Sequence, residues 1–356
     1  MKSFEEILAD LARAPGVSGF EDGVREVIVR ELKPYADELR VDKLGNVIAS
    51  KGDKKNAPKI MLAAHMDEIG LVVRFVEKSG FLRFAPMGTW STQVLPAQRV
   101  VVHTRSNGSI PGAVGTKPPH LMTEEDKKKV VDLSQMFIDI GANSDEAVRR
   151  LGVEIGDPVT IDRELKVMSD GKTVTGKALD DRVGCAIMID VFKEINQETG
   201  FTVYAVATAQ EEIGLRGAMV SAYDLCPELA IVVDVTCAAD VPGVEESECE
   251  SKIGGGPCIG ISEASPTYAY VAHPKVRRLL IDTAREENIP YQLDISQSGL
   301  SDAATVSVAR AGVPIGMVYV PCRYLHSPVE LVSLEDAKNA SKLIKACLRR
   351  IQPGLF

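Results

Sequence analysis

Short apolar runs that each end on a histidine or a carboxylate constrain this chain most strongly. Three runs end in this way: residues 59–64 at His65, residues 201–209 at Gln210-Glu211-Glu212, and residues 229–233 at Asp234. Each run is short and nearly uncharged, which indicates a buried strand. Strand ends of an α/β sheet converge on one edge, so we expect these polar side chains to lie near one another.

The rest of the chain alternates between helical and strand patterns. Helices are predicted at residues 4–11, 24–32, 181–195, 275–287, 301–310 and 333–350. Further strands are predicted at 41–49, with a turn at Gly45-Asn46, and at 291–295 and 314–320. Ser18 is the expected cap of the second helix. This alternation predicts an α/β fold with a mixed sheet and helices on both of its faces.

A change in the sequence pattern indicates an inserted domain. Residues 70–165 contain short β-type pieces broken by many Gly and Pro, which predicts a small β-rich, barrel-like domain. Residues 1–69 and 166–356 then form one discontinuous α/β domain that carries the chemistry. Within the insertion, residues 111–120 are too rich in Gly and Pro for regular structure to be expected, and a helix capped by Ser144 is predicted near 144–151.

Composition excludes several classes of protein. A net charge of −9 argues against nucleic acid as a partner, since phosphate binding needs a clustered basic surface. The apolar runs are too short to span a membrane, and the first ten residues lack the pattern of a secretory signal. Seven cysteines without CxxC spacing indicate reduced thiols, and we therefore expect a cytoplasmic protein.

The strand ends supply a set of groups that can bind a divalent metal, because imidazole and carboxylate are the ligands that such ions prefer. The set is His65, Asp67, Asp180 or Asp181, Glu211, Glu212, Asp234 and His326. Each residue alone has an ordinary structural explanation, such as a helix cap for either aspartate of the pair. Their joint occurrence at several strand ends favours a metal site. In an extended strand, Glu211 and Glu212 point to opposite faces, whereas His65 and Asp67 share one face, so Asp67 can orient the imidazole.

Five sequence motifs resemble the glutamyl/deblocking aminopeptidase family. They are Ala64-His65-Met66-Asp67-Glu68-Ile69-Gly70, Lys177-Ala178-Leu179-Asp180-Asp181-Arg182, Gln210-Glu211-Glu212-Ile213-Gly214, Val233-Asp234-Val235-Thr236 and Tyr324-Leu325-His326-Ser327-Pro328. The element Lys117-Pro118-Pro119-His120 adds to the resemblance, which covers nearly the whole chain in the same order. That family consists of dinuclear metallopeptidases that assemble as tetrahedral dodecamers built of dimers.

The resemblance implies a role for each metal-capable residue. Asp180, rather than Asp181, is expected to bridge two divalent ions. His65 and Asp234 would complete the shell of one ion, and Glu212 and His326 that of the other. Glu211 is the expected general base, and Asp67 would hold His65 in its metal-binding tautomer. Zinc is the default metal for such ligands, and cobalt or manganese can occupy the same set.

The resemblance also implies an aminopeptidase that removes N-terminal residues from peptides. A glycoside hydrolase is one alternative, because members of this family have carried a cellulase label. Glycosidases need two carboxyl groups but no histidine ligands. The aromatic content is 5%, with Trp90 as the sole tryptophan, so few aromatic rings are available for a sugar to stack on. A non-catalytic assembly protein on the same scaffold is the other alternative. Preference for the N-terminal residue stays open: Arg323 and His120 are candidates for substrate contact.

Overall fold

The computed structural model describes residues 2–52, 57–195, 200–245, 247–265, 269–296 and 299–351. Its helices, numbered along the described chain, are α1 (Phe4–Arg13), α2 (Asp22–Leu32), α3 (Asp145–Arg150), α4 (Leu179–Glu194), α5 (Arg216–Leu225), α6 (Pro274–Glu286), α7 (Ala303–Ser307) and α8 (Leu334–Arg350). The strands, numbered likewise, are β1 (Glu38–Val41), β2 (Val47–Lys51), β3 (Lys59–His65), β4 (Gly70–Val76), β5 (Leu82–Met87), β6 (Arg99–Thr104), β7 (Gly108–Gly115), β8 (Phe137–Asp139), β9 (Pro158–Ile161), β10 (Lys166–Val167), β11 (Thr173–Gly176), β12 (Thr202–Thr208), β13 (Leu229–Cys237), β14 (Cys258–Ala264), β15 (Ala269–Val271), β16 (Gln292–Ser296), β17 (Ile315–Arg323) and β18 (Glu330–Ser333).

One large mixed sheet forms the frame of the molecule. Its main order is β1-β2-β12-β3-β13-β17-β18-β11-β10, and β14, β15 and β16 extend it beside β17. The central strands β12, β3, β13 and β17 are parallel to their neighbours in this set, whereas the strands that flank them are antiparallel. The prediction of a mixed α/β sheet is therefore confirmed.

Helices cover both faces of this sheet because side chains alternate along each buried strand. In β3, Ile60 and Leu62 pack in the core formed with helices α1, α2, α4, α6 and α8. Met61 and Ala63 point the other way, into a second core with α5 and α7. Helix α4 is buried on almost every side, since α1, α2 and α8 pack over it. The start of α4 is thereby fixed at the sheet edge.

The strands between β3 and β10 form a closed antiparallel barrel, ordered β4-β5-β8-β7-β6-β9. It encloses its own apolar core, which confirms the barrel-like segment. The prediction of irregular structure at 111–120 was wrong for residues 111–115, which belong to β7, whereas residues 116–118 lie outside any helix or strand. Pro111 fits there since β8 pairs only with residues Ala113–Gly115, so the proline nitrogen needs no partner on that side. Ser144 caps α3 as predicted, accepting a hydrogen bond from the N–H of Ala147.

Several element boundaries differ from the prediction. Ser18 does not cap α2, whose N-cap is Glu21 without a side-chain hydrogen bond. The strand predicted at 41–49 is a hairpin of β1 and β2, with Gly45 at φ 104° in the turn. Helix α7 is shorter than predicted, because the chain has turned by Arg310, at φ 54°. Across the described ranges, every helix is too short or too polar to cross a lipid bilayer.

Candidate metal centre

The ends of parallel strands bring the predicted residues to one edge of the sheet. His65 is the last residue of β3 and lies in register with Thr208, the last residue of β12. Asp234 lies within β13, in register with Tyr319 of β17. The prediction that this strand ends at Asp234 was wrong, because β13 continues to Cys237. Asp180 enters the same space from the start of α4, and His326 from the turn after β17. The convergence expected from the strand pattern is present.

Asp180 lies between the two imidazoles. Its Oδ1 is 2.8 Å from Nε2 of His65, and its Oδ2 is 3.2 Å from Nε2 of His326. Asp234 Oδ1 lies 3.8 Å from the same nitrogen of His65, and Glu212 Oε2 lies 3.5 Å from that of His326. Ligand atoms therefore form two groups, His65/Asp180/Asp234 and Asp180/Glu212/His326, each with all its atoms within 4.8 Å of one another. Asp180 is common to both groups.

Glu211 and Glu212 reach this space from a turn rather than from a strand. Strand β12 ends at Thr208, and Gln210 has a left-handed φ of 58°. The expectation that strand alternation separates the two carboxylates was therefore wrong. Both carboxylates and His65 form a third group of ligand atoms within 4.8 Å. Any difference in role between the two glutamates must come from the geometry of the turn, which brings both carboxylates near His65.

Asp67 holds that turn. Its Oδ1 accepts the backbone N–H of Glu211 at 2.9 Å, and its Oδ2 accepts that of Glu212 at 3.2 Å. Ser18 donates its hydroxyl to Oδ2 at 2.6 Å. Asp67 Oδ1 is also 3.5 Å from Nδ1 of His65, on the same side of the chain as expected, at a distance longer than a hydrogen bond. The carboxylate thus joins the histidine segment to the glutamate turn.

Asp181 has a different environment from that of Asp180. Its Oδ1 accepts the backbone N–H of Gly184 at 3.0 Å, so it caps the turn that begins the regular part of α4. Burial raises the pKa of Asp181 well above its usual range, and the charge of Asp234 adds to the shift. Of the two aspartates, Asp180 is the one whose oxygens face both histidines.

Two features of the site were not predicted from the sequence. Glu330, on β18, accepts the backbone N–H groups of Asp180 and His326. Glu68 is buried in an ion pair with Lys177 at 2.7 Å and with Arg182 at 3.3 Å, which joins the His65 segment to the Asp180 segment. Glu68, Lys177 and Arg182 stand inside the motifs quoted above, so their place was visible although their role was not. Glu330 has no such signal.

A family model for the M42 glutamyl aminopeptidases matches residues 45–343. The chain belongs to this family. Membership confirms the resemblance found in the motifs and makes the chain a peptide hydrolase of the aminopeptidase type, which favours peptide over glycoside hydrolysis.

Three similar proteins illustrate the membership. The lysyl aminopeptidase of Pyrococcus furiosus is 36% identical over 354 residues, which are 99% of this chain and 98% of that protein. The aminopeptidase APDkam598 of the archaeon Desulfurococcus kamchatkensis has a TM-score of 0.94 at 41% identity, covering 99% of this chain and 96% of the other. The TET1 peptidase of Pyrococcus horikoshii, which can assemble into a tetrahedron or a large octahedral shell, has a TM-score of 0.85 at 31% identity, covering 98% and 100%.

The charges of this M42 site fit divalent cations. Six carboxylate side chains are buried beside the imidazoles of His65 and His326. They are those of Asp67, Asp180, Asp181, Glu211, Glu212 and Asp234. So many acidic groups in a desolvated space are costly unless protons or cations balance them. Oxygen and imidazole nitrogen are also the donors that zinc, cobalt and manganese accept. The residues present therefore fit a metal centre.

The pKa values express the same imbalance. Burial raises the pKa of Glu211 well above its usual range, against the attraction of His65. Burial and the charge of Asp180 raise the pKa of Glu212 to about 8. Burial disfavours protonation of His326, yet Asp180 and Glu212 together raise its pKa to about 9. In metal-free protein, bound protons therefore offset part of the negative charge of these carboxylates.

The candidates for substrate contact lie at different places. Arg323, at the end of β17, donates from Nε to Asp240 Oδ1 at 2.8 Å and makes a second contact through Nη2. A bidentate carboxylate partner offsets its charge, which weakens the case for Arg323 as a receptor of acidic side chains. His120 is exposed in a short 3₁₀ turn, Pro119–Leu121, in the segment between β7 and β8.

Proposed function

We propose that this M42 aminopeptidase uses two divalent ions to hydrolyse the N-terminal peptide bond. The observation that carries the proposal is the position of Asp180, with one oxygen towards each histidine. A carboxylate in that position is suited to bridge two ions. His65 and Asp234 would complete the ligands of one ion, and Glu212 and His326 those of the other.

Ions bound there supply Lewis acidity, which polarises the scissile carbonyl and lowers the pKa of the attacking water. Zinc is the default occupant, and cobalt or manganese suit the same donors. The remaining work belongs to the protein. The five ligands would hold the ions, and four of their side chains are less than 10% exposed, whereas that of His326 is 33% exposed.

Glu211 is the proposed general base. It is buried beside the two ligand groups and in our scheme binds neither ion, so its carboxylate can take a proton from the attacking water. The same carboxyl group then gives a proton to the leaving amine. Asp67 is proposed to hold Glu211 and Glu212 in place through their backbone N–H groups and to keep His65 oriented.

We also propose that residues 70–165 form an assembly domain and that the chain forms a dodecamer built of dimers. The assembly of the Pyrococcus horikoshii relative supports this, and so do exposed apolar side chains in the segment between β7 and β8. Leu121 and Val130 in the segment between β7 and β8 are 69% and 55% exposed, so both side chains are available to contact another subunit. Sedimentation as a monomer at every concentration tested would contradict this part.

A chromogenic assay tests the reaction. Release of p-nitroaniline from glutamyl, leucyl and lysyl anilides is expected, with loss after chelation and recovery on adding Zn²⁺ or Co²⁺. The relative rates also give the preference for the N-terminal residue. Blocking the α-amine of the best substrate is the matched control, and it should abolish release. Reducing sugar released from a soluble glucan, with intact anilides, would favour the glycosidase alternative instead.

A further inference from the structure

Glu330 lies between the two strands that lead into the metal-ligand loops. Strand β18 pairs with β11 on one side, where Glu330 is in register with Gly176, four residues before Asp180. On its other side β18 pairs with β17, where Leu331 is in register with Arg323, three residues before His326. A side chain at this position can therefore reach both loops.

The carboxylate of Glu330 reaches both. Its Oε2 accepts the backbone N–H of Asp180 at 3.0 Å, and its Oε1 accepts the backbone N–H of His326 at 3.1 Å. The residue is only 1% exposed. One buried side chain therefore contacts both loops through hydrogen bonds to their backbones.

The two residues held in this way belong to one ligand group, Asp180/Glu212/His326. Their side chains face each other at 3.2 Å, between Asp180 Oδ2 and His326 Nε2. The same carboxylate thus contacts the backbones of two residues whose side chains lie close to each other. Both of its oxygens are engaged by N–H donors, which leaves Glu330 as a support of the ligands.

We infer that Glu330 is a positioning residue that fixes the spacing of Asp180 and His326 and thereby sets the affinity for the ion held by the Asp180/Glu212/His326 group. This inference rests on the proposed two-metal function. It predicts a selective effect: loss of the support weakens one ion more than the other, since His65 and Asp234 are placed by strands β3 and β13.

Two substitutions change the reach and the acceptor atoms of this side chain separately. Glu330→Asp keeps the carboxyl group but is one methylene shorter, so it cannot reach both N–H groups. Glu330→Gln keeps the length but offers one acceptor oxygen and turns an NH₂ group towards the other N–H. Asp302→Asn is the matched control, because Asp302 is a buried carboxylate 1% exposed that binds the Thr208 hydroxyl and holds no ligand backbone.

The measurement is titration of metal-free protein with Co²⁺, followed by calorimetry and by the visible absorption of the bound ion. His326→Ala identifies the step that belongs to the Asp180/Glu212/His326 group. We expect both Glu330 variants to weaken that step by about 10- to 100-fold and to leave the other step little changed. Asp302→Asn should titrate like the wild type. Thermal unfolding of each metal-free variant verifies that it is folded.

Other outcomes overturn the inference. A Glu330→Asp variant that binds both ions like the wild type shows that spacing is not controlled by this residue. An Asp302→Asn variant as weak as Glu330→Gln shows that buried charge alone matters. A wild-type protein that takes up fewer than two ions overturns the proposed function together with the inference, whereas two normal wild-type steps confine any failure to Glu330.

Discussion

Asp67 accepts a hydrogen bond from the backbone N–H of Glu211 at 2.9 Å, which fixes the proposed base to the end of a different strand. The second oxygen of Asp67 does the same for Glu212 at 3.2 Å. Base and ligand therefore share one support. The left-handed turn at Gln210 brings both N–H groups to that carboxylate, and this explains how two adjacent glutamates both come close to His65.

Replacing Asp67 with Asn should disturb catalysis by loosening this turn. Asn has one acceptor oxygen, and its NH₂ group would face a backbone N–H, so at least one contact is lost. We expect kcat to fall by about 10- to 100-fold at saturating metal, a size typical of residues that support metal ligands. Steady-state kinetics of Asp67→Asn at several metal concentrations measures the effect.

Ser18→Ala is the matched control for that experiment. It removes the third hydrogen bond to Asp67, at 2.6 Å, and leaves both backbone contacts in place. Its kcat should stay near that of the wild type. Equal losses in Asp67→Asn and Ser18→Ala would show that general packing around Asp67, rather than its hold on the turn, matters.

Glu211→Gln should retain the metal and lose the chemistry. The amide has nearly the shape of the carboxylate but cannot take a proton from water, and loss of a general base lowers kcat by about 10²- to 10⁴-fold. Elemental analysis of the purified variant should give the wild-type metal content. Turnover close to that of the wild type would contradict the assignment of Glu211 as the base.

Glu212→Ala should instead lower the metal content. Glu212 Oε2 is 3.5 Å from Nε2 of His326, within the group that Asp180 shares, and removing it leaves that group with two protein ligands. We expect the metal content to fall from two ions per subunit towards one, with kcat falling in parallel. If Glu212→Ala kept both ions while Glu211→Gln lost one, the roles of the two glutamates would be exchanged.

Strand ends were the part of this site that the sequence could predict. His65 and Asp234 follow apolar runs whose length and composition indicate buried strands, and parallel strands bring such ends together. Asp180 was different. Spacing could not choose between Asp180 and Asp181, because each is a reasonable helix cap, and the choice came from the family resemblance. In the structure Asp181 binds the N–H of Gly184, whereas Asp180 faces the imidazoles, and the bridging role of Asp180 stays a prediction.

What the sequence could not predict depends on contacts between distant segments. The positive φ at Gln210 is unusual for a residue with a side chain, so a strand continuing through Glu212 was the natural expectation. Glu330 lies 150 residues from Asp180, and no local pattern marks a carboxylate that binds the backbone of another segment. Ser18 looked like a helix cap because its neighbours suit one, yet its hydroxyl binds Asp67.

Asp302 should make the metal-free protein less stable as pH rises. Burial raises the pKa of this carboxyl to about 6, while the hydroxyl of Thr208 opposes the shift. In the unfolded chain an aspartate titrates near 3.9. The folded state therefore binds the extra proton between these values. Its contribution to stability is complete below about pH 4 and is lost as pH rises through about 6.

Asp302→Asn removes this titration, so the difference in unfolding free energy between wild type and variant isolates it. Between pH 5 and pH 8 we expect the wild type to lose roughly 1 to 2 kcal/mol relative to the variant, because the pKa of Asp302 is about 6 in the folded chain and near 3.9 in the unfolded chain. Urea denaturation of both metal-free proteins across this range measures the difference. A difference that is constant with pH, or that grows in favour of the wild type, would mean that Asp302 is ionised in the folded state already at pH 5.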